Sequence, residues 1–204
     1  MPVACPACCQ IIINNKIAEL DATFPHNCEC KALTELPNGK LARYYYPNGT
    51  TEGGHDGLIV QVDPYFGDSW TGIFAFGDVS PKGITGLYSW PVHIKLCVVS
   101  LGQGYLVDVI EPSNYEVIET QPILDVVPVT EREIIVFANY TELVAYGKSG
   151  LLWVTKRLSW DGIKITKVTS DSIEGEVWDP GRGGTADFIV NLANGKHEGG
   201  IPEC

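Results

Sequence analysis

Ile134-Ile135-Val136-Phe137, then Leu143-Val144-Ala145-Tyr146, then Lys148-Ser149-Gly150-Leu151-Leu152-Trp153 is the stretch whose reading sets the architecture. Short β-branched and aromatic runs alternate here with polar turn residues, which is the pattern of strands joined by tight connections. The arrangement returns on either side at an interval of about 38 residues. Upstream, Leu96-Cys97-Val98-Val99 stands one interval before Ile134 to Phe137, and Tyr115 stands one interval before Trp153. Downstream, Val126-Val127-Pro128-Val129-Thr130-Glu131-Arg132-Glu133-Ile134 returns in outline as Ile165-Thr166-Lys167-Val168-Thr169-Ser170-Asp171-Ser172-Ile173. Self-similarity at a fixed period marks stacked or radially arranged supersecondary units.

Working outward, the stretches 84 to 120, 122 to 158 and 161 to 200 each hold about four strand-like runs. Leu58-Ile59-Val60-Gln61-Val62 and Trp70-Thr71-Gly72-Ile73-Phe74-Ala75-Phe76 extend the β pattern toward the N-terminus. In Ile173-Glu174-Gly175-Glu176-Val177 apolar and charged residues alternate, so one face of that strand is wet. Leu96 to Val99 is continuously apolar, as a strand covered on both faces requires. The expected fold is all-β, with short antiparallel strands in three to four blade-like repeats; a β-sandwich is the alternative. Phe137, Val144, Tyr146, Trp153, Ile165, Val177 and Ile189 occupy the recurring apolar slots and are the expected core.

The order of runs from Ile134 to Trp153, with its Gly-containing turn and terminal Trp, resembles a blade of a quinoprotein-type β-propeller. The resemblance covers about half the chain and implies a small or partial propeller. It does not carry quinone chemistry with it. The adjacent cysteines Cys8-Cys9 lie outside any blade, so no role transfers to them. Trp160-Asp161 and Trp178-Asp179 resemble the dipeptide of another propeller class at the wrong spacing. Asp161 and Asp179 are read instead as turn residues whose carboxylates bind local N–H groups.

The chain has 204 residues, 22 of them Gly and 13 Pro, and this spread of turn formers argues against long helices. Residues 1–40 form a cysteine-rich segment, and residues 41–204 read as a repetitive β domain. Ile11-Ile12-Ile13, Asn14-Asn15 and Ile17 to Leu20 suggest a small hairpin within the first segment. With 25 acidic side chains against 14 basic ones, the net charge is −11. That balance disfavours nucleic acid and anionic membranes, both of which select basic faces, and it suits a basic protein partner. No apolar run is long enough for a membrane helix, and no leader pattern opens the chain, so a cytoplasmic location is expected.

Among residues that carry chemistry, the strongest cluster is Cys5-x-x-Cys8 with Cys28-x-Cys30. Two thiolates at such spacing grip one side of a tetrahedral zinc, and a second pair closes the site; His26 is a substitute ligand. Free thiols and disulfides remain open readings. Cys97, inside an apolar run, is expected in the core. No nucleotide, phosphate or zinc-protease motif is present. His55 and His197 each sit beside an acid in glycine-rich stretches, and with Asp108 and Asp125 they are the suspects for a hydrolase or lyase. The favoured expectation is a non-catalytic soluble protein that binds another macromolecule, such as an acidic inhibitor or immunity-type protein.

Overall fold

The computed structural model describes residues 18–52, 54, 56–77, 83–181 and 183–201. Among them helix is confined to one 3-10 turn, Thr130–Arg132, and the fold is all-β. The chain divides into two compact units, Met1–Pro122 and Ile123–Cys204.

Among the described residues the first unit holds two sheets. One has the order β2-β4-β5-β3, from β2 (Cys28–Leu33), β3 (Ala42–Tyr46), β4 (Gly57–Pro64) and β5 (Trp70–Ala75). The other runs β1-β6-β7-β8-β9, from β1 (Leu20–Asp21), β6 (Gly86–Ser89), β7 (Lys95–Ser100), β8 (Gln103–Asp108) and β9 (Tyr115–Ile118). Here β6 to β9 form an antiparallel meander, and β1 adds to β6 in parallel. Cys28, Val60, Trp70 and Phe74 of the first sheet share a core with Leu87, Leu96, Val98 and Tyr105 of the second. Tyr46 lies at its centre, fully buried and stacked on Phe74 at 4.5 Å, and its hydroxyl donates to the Pro112 carbonyl at 2.7 Å. Donating that proton is what makes a phenol tolerable in an apolar interior.

Of the segment 1–40, the described residues 18–40 join the sheets of this unit. Its strand β2 pairs along its full length with β4, from Cys28 opposite Pro64 to Leu33 opposite Ile59. The contacts divide the chain after Pro122 instead. Most of the expected N-terminal hairpin lies outside the described residues.

The second unit is two four-stranded antiparallel meanders. The first comprises β10 (Asp125–Val129), β11 (Ile134–Ala138), β12 (Leu143–Gly147) and β13 (Gly150–Val154). The other comprises β14 (Ile163–Val168), β15 (Ser172–Asp179), β16 (Gly184–Asn191) and β17 (His197–Gly199). Val136, Leu143 and Trp153 meet Ile173, Val177, Phe188 and Val190 in one core. Trp153 fixes the geometry: its Nε1 donates to the Leu192 carbonyl at 2.9 Å. The turn after β16 passes so close that a Cβ on Gly195 would lie 2.7 Å from the indole ring. With φ at +69° as well, that position suits only glycine.

The strand patterns follow the sequence where parity is unambiguous. Leu96 to Val99 is buried on both faces, and β15 alternates between buried and wetter positions as expected. Of the expected core, Phe137, Val144, Trp153 and Val177 are buried, whereas Tyr146 and Ile165 are half-buried. Ile189 is a correction: it is 40% exposed, because β16 turns Phe188 and Val190 inward and the residue between them must face outward.

Candidate functional site

The wet face of β14 to β17 concentrates the charge. On β15 the inward positions are Ile173, Gly175 and Val177, which leaves Glu174, Glu176 and Trp178 outward. On β16 the outward set is Thr185, Asp187, Ile189 and Asn191. Register places Glu176 opposite Asp187, and Glu174 opposite Ile189, whose other neighbour is Glu198 of β17. Four carboxylates therefore surround one exposed apolar side chain. A shallow depression of about 430 Å³ follows this row, with Thr166, Glu174, Glu176, Asp187, Ile189 and Glu198 in its lining. A second depression, sharing Ile189 and Glu198, continues it past Asn191 and His197.

Two lysines on β14 offset part of this charge. Lys164 reaches Glu176 at 3.3 Å and Lys167 reaches Glu174 at 2.8 Å. Asp187 and Glu198 have no ion pair among the described residues. The edge strand is held close to Asp187 by backbone alone: Gly200 N–H donates to its carbonyl at 2.9 Å. A Cβ on Gly199, where φ is +76°, would stand 2.2 Å from that same oxygen. The groove's outer wall thus depends on a glycine.

The sequence suspects for catalysis do not converge here. His197 lines the far end of the groove, with Nδ1 at 3.3 Å from the Gly199 carbonyl. Its neighbour Glu198 pairs with Ile189 while His197 pairs with Val190, so the two face opposite ways. Asp108 is buried and structural: its Oδ1 accepts from the N–H groups of Ile110 and Glu111 at 2.8 and 3.0 Å, closing the turn after β8. Asp125 lies in the second unit, at the start of β10; desolvation raises its carboxyl above the ordinary range, against a smaller opposing effect of the Val126 N–H. His55 lies outside the described residues. Asp179 caps its turn through Gly181 N–H at 2.9 Å as expected, whereas Ser159 rather than Asp161 closes the turn at Trp160, accepting from Asp161 N–H.

The candidate zinc ligands divide similarly. Cys5 and Cys8 lie outside the described residues. Cys28 and Cys30 share one face of β2, packed against the core of the first unit. Each thiol acts on the other: Cys30 holds Cys28 below the ordinary thiol range, and Cys28 together with burial pushes Cys30 far above it. His26 is occupied elsewhere, its Nδ1 at 3.2 Å from the Phe24 carbonyl. Among the described residues no three His, Cys, Asp or Glu side chains are grouped to hold a metal ion. Cys97 is fully buried, and burial pushes its thiol up, as a core cysteine requires.

Sequence reasoning did not assemble the carboxylate face. The alternation around Glu174 was visible, but Asp187 and Glu198 join it only through cross-strand register. A second apolar feature also went unread, namely Tyr65 and Phe66 in the β4–β5 connection, the latter 77% exposed. Against known proteins, no family model matches the chain, and no curated protein matches it in sequence. No helix among the described residues is long and apolar enough to cross a membrane.

Proposed function

We propose that this protein is a non-catalytic binding module whose acidic sheet face docks a cationic segment of a protein partner, as an acidic inhibitor or immunity-type protein does. The observation that carries the reading is the arrangement of Glu174, Glu176, Asp187 and Glu198 around Ile189, with no ion pair to Asp187 or Glu198 among the described residues. Like charges directly opposite each other weaken a sheet, as Glu176 and Asp187 do, and a cationic partner reverses that cost. Exposed Ile189 and Trp178 supply the apolar contact that charges alone do not. The chain's net charge of −11 steers a basic partner inward and repels phosphate backbones. The meanders are read as blade-like units of a small or partial propeller, an architecture that presents sheet faces and loops to partners. The hydrolase or lyase alternative draws no support from Asp108, which is spent on a turn, or from Asp125 and His197, which make no contact with each other.

Titration calorimetry against a lysine- and arginine-rich peptide tests the proposal. Binding is expected to weaken steadily as salt rises, because screening acts beyond about 8 Å at physiological ionic strength. Asp187→Lys combined with Glu198→Lys should weaken it roughly tenfold or more, about 1.4 kcal/mol. Equal binding by this double variant would remove the assigned face, and retardation of DNA or RNA would contradict the argument from charge.

A further inference from the structure

Asn-Gly occurs at Asn38-Gly39, Asn48-Gly49 and Asn194-Gly195, and the fold treats the three copies differently. The dipeptide is chemically labile because glycine has no Cβ to keep its backbone nitrogen from the preceding side-chain amide carbon. That attack needs a nitrogen whose proton is free to leave. At Gly49 the N–H donates to the Tyr45 carbonyl at 2.6 Å, and the residue is buried against the Tyr115 ring. At Gly195 the N–H donates to the Asn191 carbonyl at 2.9 Å, close against the Trp153 ring. The Asn194 amide is tied as well, since its Oδ1 accepts from Lys196 N–H at 2.9 Å.

Asn38-Gly39, in the connection between β2 and β3, has none of these restraints. Both residues are exposed, and neither makes a hydrogen bond among the described residues. A Cβ built on Gly39 would meet nothing within 4 Å, so no neighbour obstructs ring closure there.

We propose that Asn38 is a site of spontaneous deamidation through a cyclic imide, and that Asn48 and Asn194 are protected by the fold. Hydroxide removes the Gly39 N–H proton, and the nitrogen forms a bond to Asn38 Cγ. The Cγ–Nδ2 bond breaks, and ammonia leaves with a proton from water, which restores the hydroxide. Water then opens the imide at either carbonyl, and the new acid gives its proton to the ammonia. Breaking the nitrogen's bond to Cγ leaves aspartate; breaking its bond to the Asn38 main-chain carbonyl carbon leaves isoaspartate. Nothing is oxidised or reduced. Each event adds one negative charge to a chain already at −11, and isoaspartate also inserts a methylene into the backbone leading to β3.

The test is prolonged incubation of the full chain at mildly alkaline pH, folded and in urea, followed by peptide mapping with mass spectrometry. In the folded protein the Asn38 peptide should lose its amide to a carboxylate, in aspartate and isoaspartate forms that fragmentation separates. Asn48 and Asn194 should keep their amides, and the Asn38 rate should rise in proportion to hydroxide. In urea all three positions should react, because the hydrogen bonds at Gly49 and Gly195 are gone. Asn38→Gln should abolish the modification with the β spectrum unchanged, since the larger ring closes far more slowly. An amide retained at Asn38 in the folded chain while the urea sample reacts would overturn the proposal. So would equal rates at the three positions in the folded protein.

Discussion

Trp153 is the side chain on which the second unit's core depends most visibly. It is 8% exposed, touches both sheets of its core, and spends its single donor on Leu192. Trp153→Ala should cost about 3–5 kcal/mol in urea unfolding, since the walls around an indole cannot close on the space it leaves. A loss under about 1 kcal/mol would mean the ring is not a core element. Asp125 makes a prediction of opposite character. Its raised folded-state pKa means that the folded protein holds this proton more tightly than the unfolded chain does. The stability it contributes is therefore present below the ordinary aspartate range and is lost as pH rises through the folded value. Asp125→Asn should flatten the pH dependence of the melting temperature in that acid window and leave it unchanged near neutrality.

At the scale of the element, strand parity divides β16 into two populations. Phe188 faces the core and lies across Gly175, whose absent Cβ leaves room for the ring. Ile189, one residue on, faces the groove. Phe188→Ala should cost about 3–5 kcal/mol, while Ile189→Ser should stay within about 0.5 kcal/mol yet weaken binding of a cationic peptide. Equal costs at the two positions would contradict the register. The edge strand β17 offers a third contrast. Gly199→Ala must accommodate both a left-handed φ and a clash with the Asp187 carbonyl, so β17 should detach from β16. Faster amide hydrogen exchange at Gly199 and Gly200 would report it, with the core of β15 still protected.

At the scale of the whole molecule, two units each bury their own core, and neither core needs a helix. Far-UV circular dichroism should show a β-dominated spectrum with helix below roughly one fifth, against the third typical of globular proteins. The apolar runs and turn residues that suggest a period of about 38 residues coincide with strands and connections of the fold. The meanders β6 to β9, β10 to β13 and β14 to β17 fall within the three stretches read from those runs. What did not show in the sequence was that the cysteine-rich segment supplies β2 to a sheet with β4, a pairing between residues about thirty positions apart.

Local chemistry explains the division between what was legible and what was not. Alternation within Ile173 to Val177 fixed which side of that strand meets water, because successive side chains leave a strand on opposite faces. The burial of Cys97 within a continuous apolar run followed in the same way. Phe188-Ile189-Val190 carries no such signal, since three apolar residues in a row fit either parity, and Ile189 was accordingly placed on the wrong side. The amino-acid sequence by itself determined the β class, the turn positions and the excess of acid. Only the tertiary structure decided that Glu174, Glu176, Asp187 and Glu198 share one face, because cross-strand register depends on partners distant along the chain.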